Sequence, residues 1–359
     1  MIKRIAIVCN YKLLEDRVGG MDYFFWCFQK ACNDKQIEID WFFPNLASHG
    51  EYHKFNIIPP LTNESLEKSV LSHLIIKKVQ YSNVITHFVE LCTSFFADLK
   101  KIQNSNIIAV DHNPRPINGY SLKKRLKKRL KGILYSKHID QFIGVSDYTS
   151  HAILNDFGRF LENKTQTIYN GVLIDKIIPK VNERRKLNPK FLVVSHLRES
   201  KGIQDLIKAV NALPDALKED LKIDLYGSGP YKEELFKLVR LFKLEPVFSF
   251  KGNQSNLNEV YQNYDHLIQP THMECFSLSI LESLAANIPV LTTPVGGNLE
   301  IVTHNKNGFI FEAKAINQLV CLLESIINGE KYITDNTRTL IENKFSIDSM
   351  VDNYMELIK

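Results

Sequence analysis

The chain alternates short β-branched and aromatic runs with longer helical patterns, and that rhythm restricts the fold more than any other feature. "RIAIVC", "IEIDWFF", "NVITHF", "NIIAV" and "QFIGV" recur through the first half, with a helix expected from about Met21 to Asn33. Such βα units build a parallel sheet. A second series follows: "KFLVVS", "LKIDLYG", "VFSFKG", "HLIQP", "IPVLTT" and "GFIF", with a helix near Ile203 to Ala212. The pattern predicts two successive doubly wound sheets. A length of 359 residues, 44% hydrophobic and 24% charged, suits two cores rather than one. The break is expected between "TIYNGVLID" and "KFLVVS", because Lys176 to Pro189 is rich in charge, Asn and Pro and lacks an apolar period. The final "FSIDSMVDNYMELIK" predicts an amphipathic helix capped by Ser346, with Ile347, Met350, Val351, Tyr354 and Leu357 on one face.

"MIKRIAIVCN" has too short an apolar run for a signal peptide and reads as a first strand. No uninterrupted apolar run approaches the roughly 20 residues that span a bilayer. Six cysteines without metal-ligand spacing read as reduced thiols of a cytoplasmic protein. The net charge of +5 is concentrated: from Arg115 to Lys137 there are nine Lys or Arg and no acid.

Ligands of open α/β sheets bind beyond the carboxyl ends of strands. "HLIQPTHMECFSLSILESLAA" predicts a strand to about Gln269, a loop through Glu274 and a helix from near Ser277. Backbone N–H groups of Ser277, Leu278 and Ser279 would then form an anion site suited to a diphosphate. Glu282 has two readings, a sugar-hydroxyl ligand or the acid of a Ser279–Glu282 capping box. Glu274 is a ligand or a solvated loop acid. Gly296 and Gly297 can take positive φ and admit a ligand to the backbone, or form a plain turn. Arg198 and Lys201 of "SHLRESKGI" follow another strand and are phosphate-neutralising cations or solvated charge, while "DLYGSGP" adds Gly227 and Gly229.

The order of these motifs resembles the retaining GT-B glycosyltransferases of family 4, most strongly from Lys190 to Phe311. "ECFSLSILE" is similar to the family's E-x7-E element, "SHLRESKG" to its GRLxxxKG loop, "YGSGP" to its GxGP turn and "PVGGNLEIV" to its GGxxE segment. "GVSDYTSHAI" and "YNGV" occupy the matching places in the first half. The resemblance implies two Rossmann-like doubly wound parallel-sheet domains facing a central cleft. These are an acceptor-binding domain over 1–175, a nucleotide-sugar domain over 176–343, and a helix over 344–359 returning to the first.

It also implies roles. Glu282 would hold the donor ribose, backbone N–H groups around Ser277, Leu278 and Ser279 would bind its diphosphate, Gly227 would belong to the donor site, and Lys201 would neutralise the phosphates. Glu274 would contact the donor sugar, His112 of "IIAVDHNPRP" matches the active-site His, and Gly19 and Gly20 of "DRVGGMDYF" match the phosphate and acceptor loop. His196 stands in the place of the family's Arg, with Arg198 as its expected replacement. The alternatives are a loop residue satisfied by backbone for His112 and a turn opening the helix at Met21 for Gly19–Gly20.

The implied activity is retaining transfer from a nucleotide-sugar, UDP-sugar before GDP-mannose, to a glycan or lipid-linked acceptor in surface polysaccharide biosynthesis. No cofactor is expected. No Asp-x-Asp motif is present, so metal-independent catalysis is expected. The rival reading is a non-catalytic, membrane-associated nucleotide-sugar-binding protein on the same scaffold.

"SLKKRLKKRLKGIL" sets Leu122, Leu126 and Leu130 on one helical face among Lys123, Lys124, Arg125, Lys127, Lys128, Arg129 and Lys131. Its readings are peripheral contact with an anionic membrane, at the inner face of the cell membrane, or a solvated helix that turns its leucines into the core. Nucleic acid is not an expected partner, because no aromatic interleaving accompanies the block.

Overall fold

The computed structural model describes residues 3–61, 64–181 and 187–359. It divides into two compact units, Met1–Asn170 with Ile347–Lys359, and Gly171–Ser346. Part of the expected connecting stretch, 182–186, lies outside the described residues.

The first unit holds seven strands: β1 Arg4–Cys9, β2 Glu38–Phe42, β3 Asn56–Ile57, β4 Asn83–His87, β5 Asn106–Asp111, β6 Gln141–Gly144 and β7 Thr165–Thr167. All pair in parallel in the order β3-β2-β1-β4-β5-β6-β7. β1 lies between β2 (Arg4 opposite Glu38) and β4 (Ile5 opposite Asn83). Ile5, Ile7 and Val8 of β1 and Ile107, Ile108 and Val110 of β5 are all buried, so neighbouring positions that point to opposite faces are both covered. Strands covered on both faces read as continuous apolar runs, which is why their sequence was legible.

The second unit holds β8 Lys190–Val194, β9 Lys222–Tyr226, β10 Phe248–Gly252, β11 His266–Gln269, β12 Val290–Thr292 and β13 Gly308–Ile310. They too are parallel, in the order β10-β9-β8-β11-β12-β13. Strand order reverses between β1 and β4 in one unit and between β8 and β11 in the other. A crevice opens at such a switch point because successive crossovers leave it in opposite directions.

The expected first helix runs Gly20–Asp34 and buries Phe24, Phe25, Phe28 and Cys32. The C-terminal helix, Ile347–Leu357, packs on it: the Tyr354 ring lies 4.9 Å from Phe24 and Met355 Sδ 3.7 Å from Cys32 Sγ. Its buried face includes Met355, while Leu357 is only half-buried. No described helix is long and apolar enough to cross a membrane. All six cysteines are free thiols.

Candidate active site

Four loops leave the carboxyl ends of β9, β8, β11 and β12, which are adjacent in the sheet, and glycine lets them touch. A Cβ on Gly227 would stand 2.0 Å from the Ser195 carbonyl oxygen, and one on Gly229 would stand 2.3 Å from that of Leu197. One on Gly202 would lie 1.8 Å from Pro270 O, and one on Gly296 2.1 Å from Glu274 O. Gly202, Gly227 and Gly296 also have positive φ, which L side chains adopt only at a cost. Backbone bonds complete the lattice, with His272 N–H on Ser200 O at 2.8 Å and Gly297 N–H on Cys275 O at 2.9 Å. Of the two readings of the glycine pair, the turn is the one the structure shows. Only Gly296 has positive φ, Gly297 sits at φ −83, and what approaches Gly296 is the Glu274 main chain.

The Lys201 ammonium lies 2.8 Å from Glu274 Oε2, and the Cys275 N–H donates to Oε1 at 3.1 Å. Both side chains of the ion pair are mostly buried, at 22% and 12% exposure, so Glu274 is not a solvated loop acid. Just beyond it the site helix, Leu278–Ala285, begins at Ser277, whose hydroxyl accepts the Ile280 N–H. Among the described residues the Leu278 and Ser279 N–H groups have no acceptor, so they remain orphan donors of the first turn. The Gln269 amide at the end of β11 donates to the Ser277 and Ser279 hydroxyls, and Asn298 donates to Thr293 O at 3.1 Å beneath the same loops.

Glu282 projects one turn further along and accepts the Tyr261 hydroxyl at 2.7 Å. The cap is Ser277, so the capping-box reading of Ser279 and Glu282 falls. Burial raises Glu282 to about 7, partly opposed by the Tyr261 hydrogen bond. A carboxyl raised on folding contributes stability below its unfolded value, which is lost as pH climbs to the folded one. Between 4.5 and about 7 this amounts to about 3 kcal/mol. Glu282→Gln keeps an acceptor for Tyr261 and removes the charge. It is therefore expected to stabilise the ligand-free protein by that amount at pH 8 and only slightly at pH 5. Denaturant midpoints at the two pH values measure this, and an equal gain at both would contradict it.

Arg198 is exposed and makes no ion pair among the described residues, so the structure leaves it apart from the Lys201–Glu274 pair.

In the first unit, Gly19 caps the first helix, and its N–H donates to Asp22 Oδ2 at 3.0 Å. The buried Asp22 also accepts Tyr11 at 3.0 Å and Tyr52 at 2.7 Å. Burial pushes Asp22 above the ordinary carboxylate range, and these three donors oppose that shift. A Cβ on Gly19 would meet nothing within 4 Å, so local packing does not demand glycine there.

His112 follows β5, where Asp111 accepts the Asn113 N–H at 3.0 Å and pairs with Arg115 at 2.6 Å. Its ring stacks on Phe88 with centroids 4.1 Å apart, and its Nε2 lies 3.0 Å from His87 Nδ1. Phe88 holds φ +58, an unusual conformation for a bulky residue, and its ring reaches Tyr11 at 5.7 Å. Loops after β1, β4 and β5 thereby join Gly19, Asp22, Tyr11, Phe88 and His112 in one chain of contacts. Burial lowers His112 to about 3, so its imidazole is neutral at physiological pH.

The basic helix spans Leu122–Tyr135 and carries all seven expected cations. Its apolar residues face outward: Leu122 is 75% exposed, Leu126 66%, Leu130 59% and Ile133 59%. These exposures overturn the core-packing reading of the leucines; the one buried position of this helix is Gly132, where a Cβ would meet Phe157 O at 2.2 Å. That close approach docks the helix at Gly132 and leaves the leucines exposed.

Tyr261, Gln269, Asp22, Tyr11 and His87 were not reached from the sequence. Only Asp22 carried a local signal, an acid at the third position after an N-cap.

Two Rossmann-like parallel sheets with loops gathered at their switch points define a GT-B fold. The whole chain shares it with Anabaena HepE, whose crystal structure is in complex with UDP and glucose (TM-score 0.77, 18% identity, 99% of each chain). Residues 175–345 match the family model of glycosyl transferases group 1. It is similar to an N-acetyl-alpha-D-glucosaminyl L-malate synthase of Bacillus anthracis, 23% identical over 73% of this chain and 76% of the relative. It is likewise similar to a capsular polysaccharide biosynthesis glycosyltransferase of Staphylococcus aureus, 24% identical over 77% of this chain and 87% of the relative. With an uncharacterized glycosyltransferase of Methanocaldococcus jannaschii the identity is 26%, over 55% of this chain and 54% of the relative.

Proposed function

We propose that this protein is a retaining glycosyltransferase that moves a sugar from a UDP-sugar to a glycan or lipid-linked acceptor in surface polysaccharide assembly. The observation that carries the proposal is the Lys201–Glu274 pair beside the open first turn of the site helix, with Glu282 one turn inside.

The pieces fit a reaction in which a diphosphate departs while positive charge develops at the anomeric carbon. The Leu278 and Ser279 N–H groups and the Lys201 ammonium stabilise the leaving charge. Glu282 accepts ribose hydroxyls, as an anion above about 7. Glu274 faces the donor sugar, and the diphosphate competes with it for Lys201. His112, being neutral, donates or accepts a hydrogen bond to a sugar hydroxyl instead of countering phosphate charge. Fixed donors of this kind can balance the diphosphate without a metal ion. The HepE complex and the capsular relative support a UDP-sugar and a polysaccharide acceptor as the first substrates to test.

A thermal-shift screen of UDP- and GDP-sugars, followed by NMR of the product, tests the proposal. A ligand at a hundred times its Kd raises stability by about 2.7 kcal/mol, a readable shift. UDP-sugars are expected to give the largest shift, the product to keep the donor's anomeric configuration, and turnover to survive EDTA. An inverted product, or activity lost in EDTA and restored by a divalent ion, would overturn the corresponding part.

The exposed leucine stripe of the basic helix, edged by cations, suits an interfacial helix on an anionic bilayer. Leu126→Ser/Leu130→Ser is expected to abolish flotation with phosphatidylglycerol vesicles, and undiminished flotation would reject that contact.

A further inference from the structure

The basic helix does not distribute its charge evenly. Lys123, Lys124, Lys127, Lys128 and Lys131 share one side of it and, with Ser121 and Glu90, line a groove of about 360 Å³. Spacings of four residues (123, 127 and 131; 124 and 128) put like charges over one another, an arrangement that destabilises an isolated helix. Two of these lysines also stand in the first turn, where the helix dipole disfavours cations. Ser121 makes no side-chain cap, and the first turn holds no acid. Acidic partners reach only part of the cluster: Lys128 meets Asp156 at 3.0 Å and Lys131 meets Glu90 at 2.6 Å. Lys124 lies over the Tyr120 ring at 4.1 Å, and Lys123 and Lys127 have no acidic partner among the described residues. A multivalent anion seated there would offset all three costs together.

The groove shares its walls with the loops that hold His112. Glu90 lies two residues beyond Phe88, on which His112 stacks. Asp156, which pairs with Lys128, also pairs with Arg115 at 2.9 Å, in the loop that begins at His112. We infer that this groove is a diphosphate site, and that the acceptor is a lipid-linked glycan whose diphosphate is gripped by Lys123, Lys124 and Lys127. The inference rests on the glycosyltransferase reading for the word acceptor, and on the lysine groove alone for the diphosphate. Acting as point charges on flexible stems, the lysines would grip a diphosphate through its concentrated charge.

Calorimetric titration with inorganic pyrophosphate reads the site without any turnover. Lys123→Gln/Lys124→Gln/Lys127→Gln alters exposed side chains only and is expected to weaken pyrophosphate binding by at least about tenfold. Lys201→Ala, in the other unit, is expected to leave that binding event in place. Inorganic phosphate is expected to bind more weakly than pyrophosphate. Unchanged pyrophosphate affinity in the triple variant, or equal affinity for phosphate, would overturn the site.

Vesicle arms separate the sources of the anion. At equal surface charge, phosphatidylcholine vesicles carrying a prenyl diphosphate should recruit the protein better than those carrying phosphatidylglycerol, and the triple variant should lose this preference. Pyrophosphate binding without any preference for the diphosphate lipid would identify a soluble ligand and overturn the lipid-linked acceptor. A failed glycosyl transfer would appear separately, in the product assay of the preceding section.

Discussion

Glu274→Gln is expected to lower kcat by about 10²–10³, the scale on which a single preorganised electrostatic group acts, while nucleotide binding changes little. The amide keeps the shape and can still accept the Cys275 N–H through its oxygen. What it lacks is the negative charge held 2.8 Å from Lys201 and turned, in the proposed complex, toward the developing positive charge of the sugar. Steady-state kinetics beside a UDP thermal shift separate the two effects. An unchanged kcat would remove Glu274 from the chemistry. A loss of UDP binding as large as the loss of kcat would make it a donor-affinity residue instead.

Gly296→Ala should damage stability and activity together. At φ +62 a side chain costs about 1–2 kcal/mol, and a Cβ 2.1 Å from the Glu274 carbonyl oxygen forces the two loops apart. With the overlap added, the loss is on the order of 3 kcal/mol, which in a unit of this size lowers Tm by roughly 10 °C. The displaced backbone is that of Glu274 itself, and a shift near 1 Å at a reacting group costs about a hundredfold in rate. Gly252→Ala supplies the comparison, since Gly252 has φ +69 and open space around its Cβ position. Calorimetry and kinetics on both variants decide. Equal losses in the two would show that the approach to Glu274 is of no consequence.

The strands were legible because parallel strands covered on both faces must be apolar throughout, as "RIAIVC" and "KFLVVS" are. The helix after Glu274 was legible from its apolar run and from its start near Ser277, although the serine that caps it is Ser277 and not Ser279. Partners that come from elsewhere in the chain were not. Tyr261 meets Glu282 from 21 residues away, and His87 meets His112 from 25. No local period records such pairs, because each is made only when two loops arrive at the same end of a sheet. The leucine stripe stays open between two readings for a different reason. Spacing shows that a helix has two faces but not which one is covered. The exposed leucines and the buried Gly132, which approaches the Phe157 backbone, show which side is covered. The glycine pair at 296–297 shows the converse: its permissiveness was visible, but what approached it was another part of the chain.

The C-terminal helix has a consequence for biosynthesis. Tyr354 fills a socket made by Phe24, Phe28 and His87, and the Lys3 ammonium bonds to the Ile358 carbonyl. A nascent chain that has emerged through Asn170 can assemble its first sheet, yet this aromatic socket stays open to water until some 180 further residues have been translated. The second unit is therefore synthesised before the first is finished, and Tyr354 then closes over His87, the partner of His112.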